Sequence, residues 1–442
     1  MWNRFLSKKR DLGDSNYGCD ENEEYYRSSF HRDYDRVIFS NSFRRLSKKT
    51  QVHPLSKNDH IHNRLTHSLE VASVGRSLGL RAGKFLKEKV DKEINPYDVA
   101  YIIQTACLAH DIGNPPFGHA GEEVIKEWFK KNSKKEFLSG LSKKQRLDFH
   151  HLDGNAQSFR IVSQLEGNSF NGGLKLTFAT LGTLVKYPYS SKKCESLGKS
   201  KFNFFQSEKK IFKTVFEELG LKNEDNTYRR HPLSYFMEAS DDICYGLLDL
   251  QDAFELKIIN LKDTKQIFTL LCGKKFVKDI YKSTVMSVEN KVAKLVSVSI
   301  DNLARHVMNV FEANYDAIVN GKQPSDLLDI FTDENLLRGI KEAKALAKNE
   351  IFNDKRKIEL ELGAYHIIET LLNSLIRATY KFHIDSKALS FRDKRVLDLM
   401  GEDKPKEKDS LYHKYQSVVD YVVGMTDNHA KYIAHQLNGM SY

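Results

Sequence analysis

Thirteen consecutive residues, His110-Asp111-Ile112-Gly113-Asn114-Pro115-Pro116-Phe117-Gly118-His119-Ala120-Gly121-Glu122, bring together a metal-ligand doublet, a rigid turn and a second His/Glu pair. Imidazole and carboxylate in that arrangement point to metal-assisted hydrolysis, in which a divalent ion acidifies a water and polarises the oxygen it attacks beside. The His-Asp dipeptide alone carries little weight, since 16 histidines at ordinary aspartate frequency give roughly one such pair by chance. The surrounding residues supply the weight. Asn114-Pro115-Pro116 cannot continue a helix, because proline lacks the amide hydrogen and drives the preceding residue out of the α region. The helix carrying His110 and Asp111 therefore ends there, and Gly118 to Glu122 return toward the same place with glycines that permit close backbone approach.

Two adjacent residues cannot close a coordination sphere, so other helices must contribute. His67, near the start of the amphipathic stretch Asn63-Arg64-Leu65-Thr66-His67-Ser68-Leu69-Glu70-Val71, is the upstream candidate, although a single histidine there also suits a hydrogen-bonded core position. Asp241, in Glu238-Ala239-Ser240-Asp241-Asp242-Ile243-Cys244-Tyr245, is the downstream one. A carboxylate on an otherwise apolar helix is costly to bury without a cation. Asp241, Tyr245 and Asp249 recur every four residues and share a helical face, as they would also on an ordinary mixed polar face. Two His and two Asp leave positions open on a divalent ion, with Mg or Mn first and Fe, Co, Ni or Zn compatible. His119 and Glu122, three apart on a first helical turn, face one side, which suits a carboxylate-oriented histidine that passes protons. An early-helix acid beside a turn residue has the same spacing.

These side chains need helices to hold them. Apolar residues repeat at three- and four-residue spacing over Thr66–Lys89, Tyr97–Ala109, Glu122–Lys131, Pro232–Phe254, Ser299–Val319, Glu334–Glu350, Lys355–Phe382 and Leu411–Leu437, and only eight prolines interrupt the chain. The reading is an all-α protein with at most one small hairpin, placed near Phe178–Tyr189. The first 30 residues read as an irregular polar arm. The Ser- and Lys-rich stretch Ser190–Lys210 reads as an exposed loop. The region from about residue 262 onward is helical and charged, suited to scaffolding or oligomerisation.

With 442 residues and 40% hydrophobic side chains the chain can bury a large core. No signal-peptide pattern or membrane-length apolar window is present, so the cytoplasm is the expected location. Five cysteines without a Cys-x-x-Cys pair argue against a disulfide framework or a thiolate metal site. The net charge of +10 suits a polyphosphate or nucleic-acid partner.

The ordered set Ser42-Phe43-Arg44-Arg45-Leu46, Thr50-Gln51-Val52, Arg64 to Val71, the extended His-Asp run, Gly154-Asn155-Ala156-Gln157, Lys186-Tyr187-Pro188, Phe204-Phe205-Gln206-Ser207-Glu208, Ala239 to Tyr245 and Gly424-Met425-Thr426-Asp427 resembles the HD-domain superfamily of metal-dependent phosphohydrolases. Within it, the deoxyguanosine triphosphate triphosphohydrolase-like family matches most of the chain. The resemblance implies an all-α fold and hydrolysis of a deoxynucleoside triphosphate, dGTP first, to deoxynucleoside and intact triphosphate. It implies His67, His110, Asp111 and Asp241 as metal ligands, and His119 with Glu122 as the catalytic pair. Gln51 would contact sugar or base, Arg64 and Lys186 the phosphates, Tyr245 the sugar face where a 2′-hydroxyl would clash, and Asp249 the 3′-hydroxyl. It further implies a homo-oligomer and admits a nucleotide or single-stranded DNA effector. The corresponding organisation is 1–60 as an arm with a substrate-contacting segment, 61–261 as the metal-dependent core and 262–442 as a helical associated region.

Two departures stand out. The family segment with an acidic residue before Gly-Asn-Ala-Gln appears here as His150-His151-Leu152-Asp153, so the roles of those histidines stay open, and His53 stands where an aromatic is commoner. Two other functions compete: an HD phosphohydrolase acting on other nucleotides, which gives Arg64 and Lys186 no evident task, and a non-catalytic nucleic-acid-binding helical scaffold, which leaves His119 and Glu122 unexplained.

Overall fold

Asn63 starts the helix on which the rest of the molecule packs. Its Oδ1 accepts from the Thr66 N–H (3.0 Å), and the Thr66 hydroxyl oxygen accepts from the Asn63 N–H (3.1 Å). This reciprocal cap satisfies two donors that a helix start otherwise leaves free. In the computed structural model, which describes residues 1–13, 16–18, 27–51, 61–167, 172–323, 325–351 and 353–440, this helix runs Arg64–Lys89. The next, Pro96–Ala109, begins on an Asn95 cap with proline at its first position, where the missing N–H costs nothing. His110 is its last, half-helical residue.

These two helices lie almost backbone to backbone. A Cβ added at Gly79 would sit 2.6 Å from Ala100 Cα, and one at Gly83 would sit 2.5 Å from Pro96 Cα. Glycine at four-residue intervals removes the side-chain layer that normally separates helices by 8–10 Å. The Ser234–Glu255 helix packs against both. At this junction a Cβ on Gly75 would meet Cys107 Sγ at 2.6 Å and Ser240 Oγ at 3.4 Å.

Two apolar cores result. The first joins Trp2, Phe5 and Phe30 to the Arg64–Lys89, Pro96–Ala109 and Ser234–Glu255 helices and to helices as far as Ile351. The second joins the Gly118–Lys131 helix to Lys355–Ile384, Leu411–Gly424 and Asp427–Leu437. The His110–Glu122 run crosses between them: Ile112 belongs to the first core and Phe117 to the second. The fold is all-α, and among the described residues no helix is long and apolar enough to cross a membrane.

Three local expectations are corrected. Phe178–Leu184 is a helix, started by the Thr177 side chain accepting from Thr180 N–H, and no hairpin forms there. The hairpin lies instead at Arg10–Gly13 and Asn16–Gly18, antiparallel with an irregularity between Asp11 and Gly13. The first residues are accordingly no irregular arm. Trp2 Nε1 donates to the Tyr315 hydroxyl (2.6 Å), and buried Arg10 pairs with buried Asp33, which also accepts from Thr177 and Thr180. Polar composition concealed this because the Arg10 charge is matched by Asp33 inside the protein rather than by water. Ser190–Lys210 likewise holds a helix, Ser191–Ser196, and buries Cys194, Phe202 and Phe204.

Replacing Gly79 with valine should lower unfolding free energy by about 1–3 kcal/mol through overpacking, read as a lower denaturant midpoint. Gly363→Ala, where an added Cβ meets nothing within 4 Å, should melt no earlier than the parent. Equal melting of Gly79→Val and parent would remove the close-packing account.

Candidate active site

The end of the Pro96–Ala109 helix fixes one imidazole. His110 Nδ1 lies 2.6 Å from the Cys107 carbonyl oxygen, so the ring donates there and turns Nε2 to the opposite side, where a bound cation would displace its proton. His67, one turn into the neighbouring helix, presents Nε2 to the same space, with the ring centroids 5.6 Å apart. Asp241 Oδ1, from the Ser234–Glu255 helix, is 3.3 Å from His67 Nε2 and 3.4 Å from His110 Nε2. Asp111 Oδ1 is 3.6 Å from His110 Nε2. The turn bearing Asp111 is pinned by the Ser158 hydroxyl, which accepts from Gly113 N–H and donates to His110 C=O, each at 2.9 Å.

Each carboxylate divides its two oxygens. Asp111 Oδ2 accepts from Arg64 Nη1 (2.6 Å) while Asn114 Nδ2 donates to Oδ1, and Asp241 Oδ2 accepts from Lys186 Nζ (2.9 Å). Burial pushes the Asp111 carboxyl up, but Arg64, His110 and His67 outweigh it and hold it near 2. Burial likewise opposes ionisation of Asp241, and Lys186 followed by His110 holds it well below the usual range. Burial disfavours charge on His110, yet Asp111 and Asp241 lift it to about 9. Lys186 loses by burial and is held well above its ordinary value by Asp241 and Glu238.

This donor set fits a divalent ion. The ligand atoms of His67, His110 and Asp111 all lie within 4.8 Å of one another, and donors sharing an ion at roughly 2.1 Å stand on the order of 3 Å apart. Two imidazole nitrogens with two ionised carboxylates suit a borderline or hard first-row ion rather than a thiophilic one.

A cleft of about 460 Å³ opens beside these four residues. Gln51, Arg64, Lys186 and Tyr245 line it, as does exposed His119. The buried Oε1 of Gln51 has no hydrogen-bond partner among the described residues. Asp249, by contrast, is not among the cleft's described lining residues; it lies buried one turn beyond Tyr245, with Oδ2 unpartnered among the described residues. Burial, then Asp252, pushes its carboxyl well above the ordinary range. A smaller recess of about 130 Å³, sharing His119 and Lys186 with the cleft, reaches buried Glu122. Glu122 accepts from Lys126 Nζ (2.6 Å) and Gly154 N–H (3.1 Å), and its carboxylate clusters with His119 and Glu123 within 4.8 Å. The backbone approach expected at Gly121 is present, since a Cβ there would lie 2.0 Å from Pro116 O.

Several lining residues escaped the sequence reading. Lys357 and Glu361 line the cleft from a helix of the second core, but their four-residue spacing reads as an ordinary surface ion pair. Lys201 sits in the Ser/Lys-rich stretch taken for a loop. Asp153 lines the recess and caps the Gly154–Arg160 helix; burial, then Glu122, lifts its carboxyl to about 7. His150 and His151 line neither cavity among the described residues. His53 lies outside the described residues.

The chain's far end closes the site. Phe117 adopts φ 63°, uncommon for a side chain of its size, and its N–H donates to Asp427 Oδ1 at 2.9 Å. Asp427 Oδ2 accepts from Thr50 N–H (3.0 Å) and the Thr50 hydroxyl. Neighbouring Lys49 donates from Nζ to the Asn114 and Val423 carbonyls (2.7 and 2.6 Å). Burial, with Arg45 and Arg64 adding repulsion, lowers the Lys49 pKa to about 7, and a neutral amine still supplies both donors.

Comparison with known proteins follows the same lines. The HD domain family model matches residues 64–153. A deoxyguanosinetriphosphate triphosphohydrolase-like protein of Pseudomonas aeruginosa is 43% identical over 445 residues, covering all of this chain and 99% of that protein. One from Synechocystis sp. is 35% identical, covering 100% and 99%. A deoxyguanosinetriphosphate triphosphohydrolase of Serratia proteamaculans is 31% identical, covering 78% and 75%.

The Lys49 shift predicts a pH dependence. Its folded pKa of about 7 lies below the ordinary 10.5, so the unfolded chain binds the extra proton and stability rises with pH across that window. Lys49→Met should flatten this rise in a pH series of denaturant midpoints; parallel profiles for parent and variant would refute it.

Proposed function

The chain belongs to the deoxyguanosinetriphosphate triphosphohydrolase-like family of HD-domain phosphohydrolases, and from that premise we propose that it hydrolyses deoxynucleoside triphosphates, dGTP preferentially, to deoxynucleoside and triphosphate in a metal-dependent reaction. The observation that carries this reading is the convergence of Asp241 Oδ1 on both imidazole Nε2 atoms beside a cleft that also holds Arg64 and Lys186. His67, His110, Asp111 and Asp241 would hold the ion, with Mg or Mn the first choice. When bound, it supplies an acidified water and charge neutralisation for phosphoryl oxygens.

The remaining work falls to the protein's own side chains. Arg64 and Lys186 already stand at the carboxylates, so a polyphosphate entering the cleft meets fixed cations and loses little to reorganisation. Water adds to the α-phosphorus, the bond from phosphorus to the 5′-oxygen breaks, and that oxygen takes a proton. His119 moves the proton, and Glu122, anchored by Lys126 and Gly154, orients it. Gln51 offers an unmatched buried acceptor to sugar or base. Tyr245 packs where a ribose 2′-hydroxyl would fall, and Asp249 behind it reads the 3′-hydroxyl. In this reading 1–60 supplies the Gln51 segment, 61–261 the metal-binding core and 262–442 the helices that close the cleft.

Incubation of metal-loaded protein with each dNTP and rGTP, with products resolved by ion exchange, should yield triphosphate from dGTP fastest and little from rGTP. Pyrophosphate or orthophosphate as the initial product would sink the assignment. Asp111→Ala should lose bound metal and turnover together. His119→Ala should retain metal and lose about 10²–10⁴-fold in kcat; equal metal loss in both variants would show His119 to be a ligand instead.

A further inference from the structure

Lys201 borders three concavities. Besides the cleft and the small recess, it lines a third pocket of about 460 Å³ formed with Lys130, His151, Tyr187, Tyr189 and Lys199. The cleft mixes cations with Glu238, Asp241, Asp242 and Glu361, whereas no acidic side chain is among the third pocket's described lining residues. Lys199 Nζ stands 6.0 Å from the Tyr189 ring centroid and Lys201 Nζ 5.9 Å from that of Tyr187, so each ammonium rests on an aromatic face. Tyr187 directly follows Lys186, the cation paired with Asp241. One basic strip therefore connects the hydrolytic site to this pocket.

Neighbouring groups register the field. Burial, then His151 and Lys130, holds His150 below its ordinary pKa, and burial, then Lys130, does the same to His151. Burial keeps the Tyr187 and Tyr189 phenols protonated, leaving their O–H groups able to donate to oxyanions. A concavity of ammonium groups and phenol donors suits an anion carrying several oxygens in a row.

We propose that the pocket of Lys130, His151, Tyr187, Tyr189 and Lys199 is a second binding site for a condensed phosphate, taking inorganic triphosphate from the cleft across Lys201. The inference rests on the proposed function for its source of triphosphate. Position favours this ligand over a single nucleic-acid strand, because the pocket meets the catalytic recess through Lys201 itself.

The test is calorimetric titration of the full-length protein with inorganic triphosphate, comparing parent, Lys130→Ala/Lys199→Ala and Arg64→Ala. The parent should show two binding phases. The double variant should weaken one of them about tenfold or more, as expected for loss of charge-assisted contacts, and Arg64→Ala should weaken the other. In turnover assays the double variant should be less inhibited by added triphosphate, with KM for dGTP unchanged. Both lysines are exposed, and Lys199→Glu alone should act in the same direction if the double variant melts early. Triphosphate binding unchanged in the double variant and in Lys199→Glu would overturn the proposal. Loss of oligo(dT) binding with triphosphate binding intact would assign the pocket to nucleic acid and equally overturn it. Because binding is measured without turnover, a failure to release triphosphate from dNTPs would count against the proposed reaction and not against this site.

Discussion

The separation between the Arg64–Lys89 and Pro96–Ala109 helices is the dimension on which the site depends. Gly79 and Gly83 let backbones meet where side chains would hold them apart, and that spacing brings His67 and His110 within range of one carboxylate oxygen. A methyl-sized wedge would act along both helices, because packed interiors transmit strain rather than absorb it. The Ser234–Glu255 helix then needs only to lie across this pair to deliver Asp241, and its small residue Ser240 lets it approach closely at Gly75.

Charge organises the second level. Four buried or nearly buried ionisable side chains would be unfavourable together, and Arg64 and Lys186 relieve this by pairing with the outer oxygens of Asp111 and Asp241. The same cations then face the cleft. Pairing the two carboxylates and lining the cleft are thus joined in two side chains, so a change to either alters both the electrostatic balance and the cleft's surface. The anchoring of Glu122 by Lys126 follows the same logic beside His119.

How much was legible follows from how each residue advertises itself. Asp241 could be read because an acid on an apolar helix demands a partner, and the helices could be read because their apolar spacing spans many turns. The Asn-Pro-Pro break signalled that the helix must stop, but the helix already ends at Ala109, so His110 caps it and Asp111 lies in the turn beyond rather than on the helix. Lys357 and Glu361 could not be read, since ion-pair spacing on a helix looks the same over solvent and over a cleft. Lys49 was hidden for a related reason: a buried amine satisfied by two carbonyls leaves no pattern in sequence. The Arg10–Asp33 pair and the apolar residues inside the Ser/Lys-rich stretch show the same limit, because composition averages over side chains whose neighbours come from distant segments.

Asp427 binds both Thr50 and the strained turn at Phe117, so segments from the beginning, middle and end of the chain must coexist before that turn is held. During synthesis, domains form as their residues emerge, amino-terminal parts first. Here the first core can gather early around its paired helices, while the turn at Phe117 waits for Asp427, 310 residues further along the chain. A nascent chain therefore displays a partly built pocket until Asp427 has emerged and joined the turn.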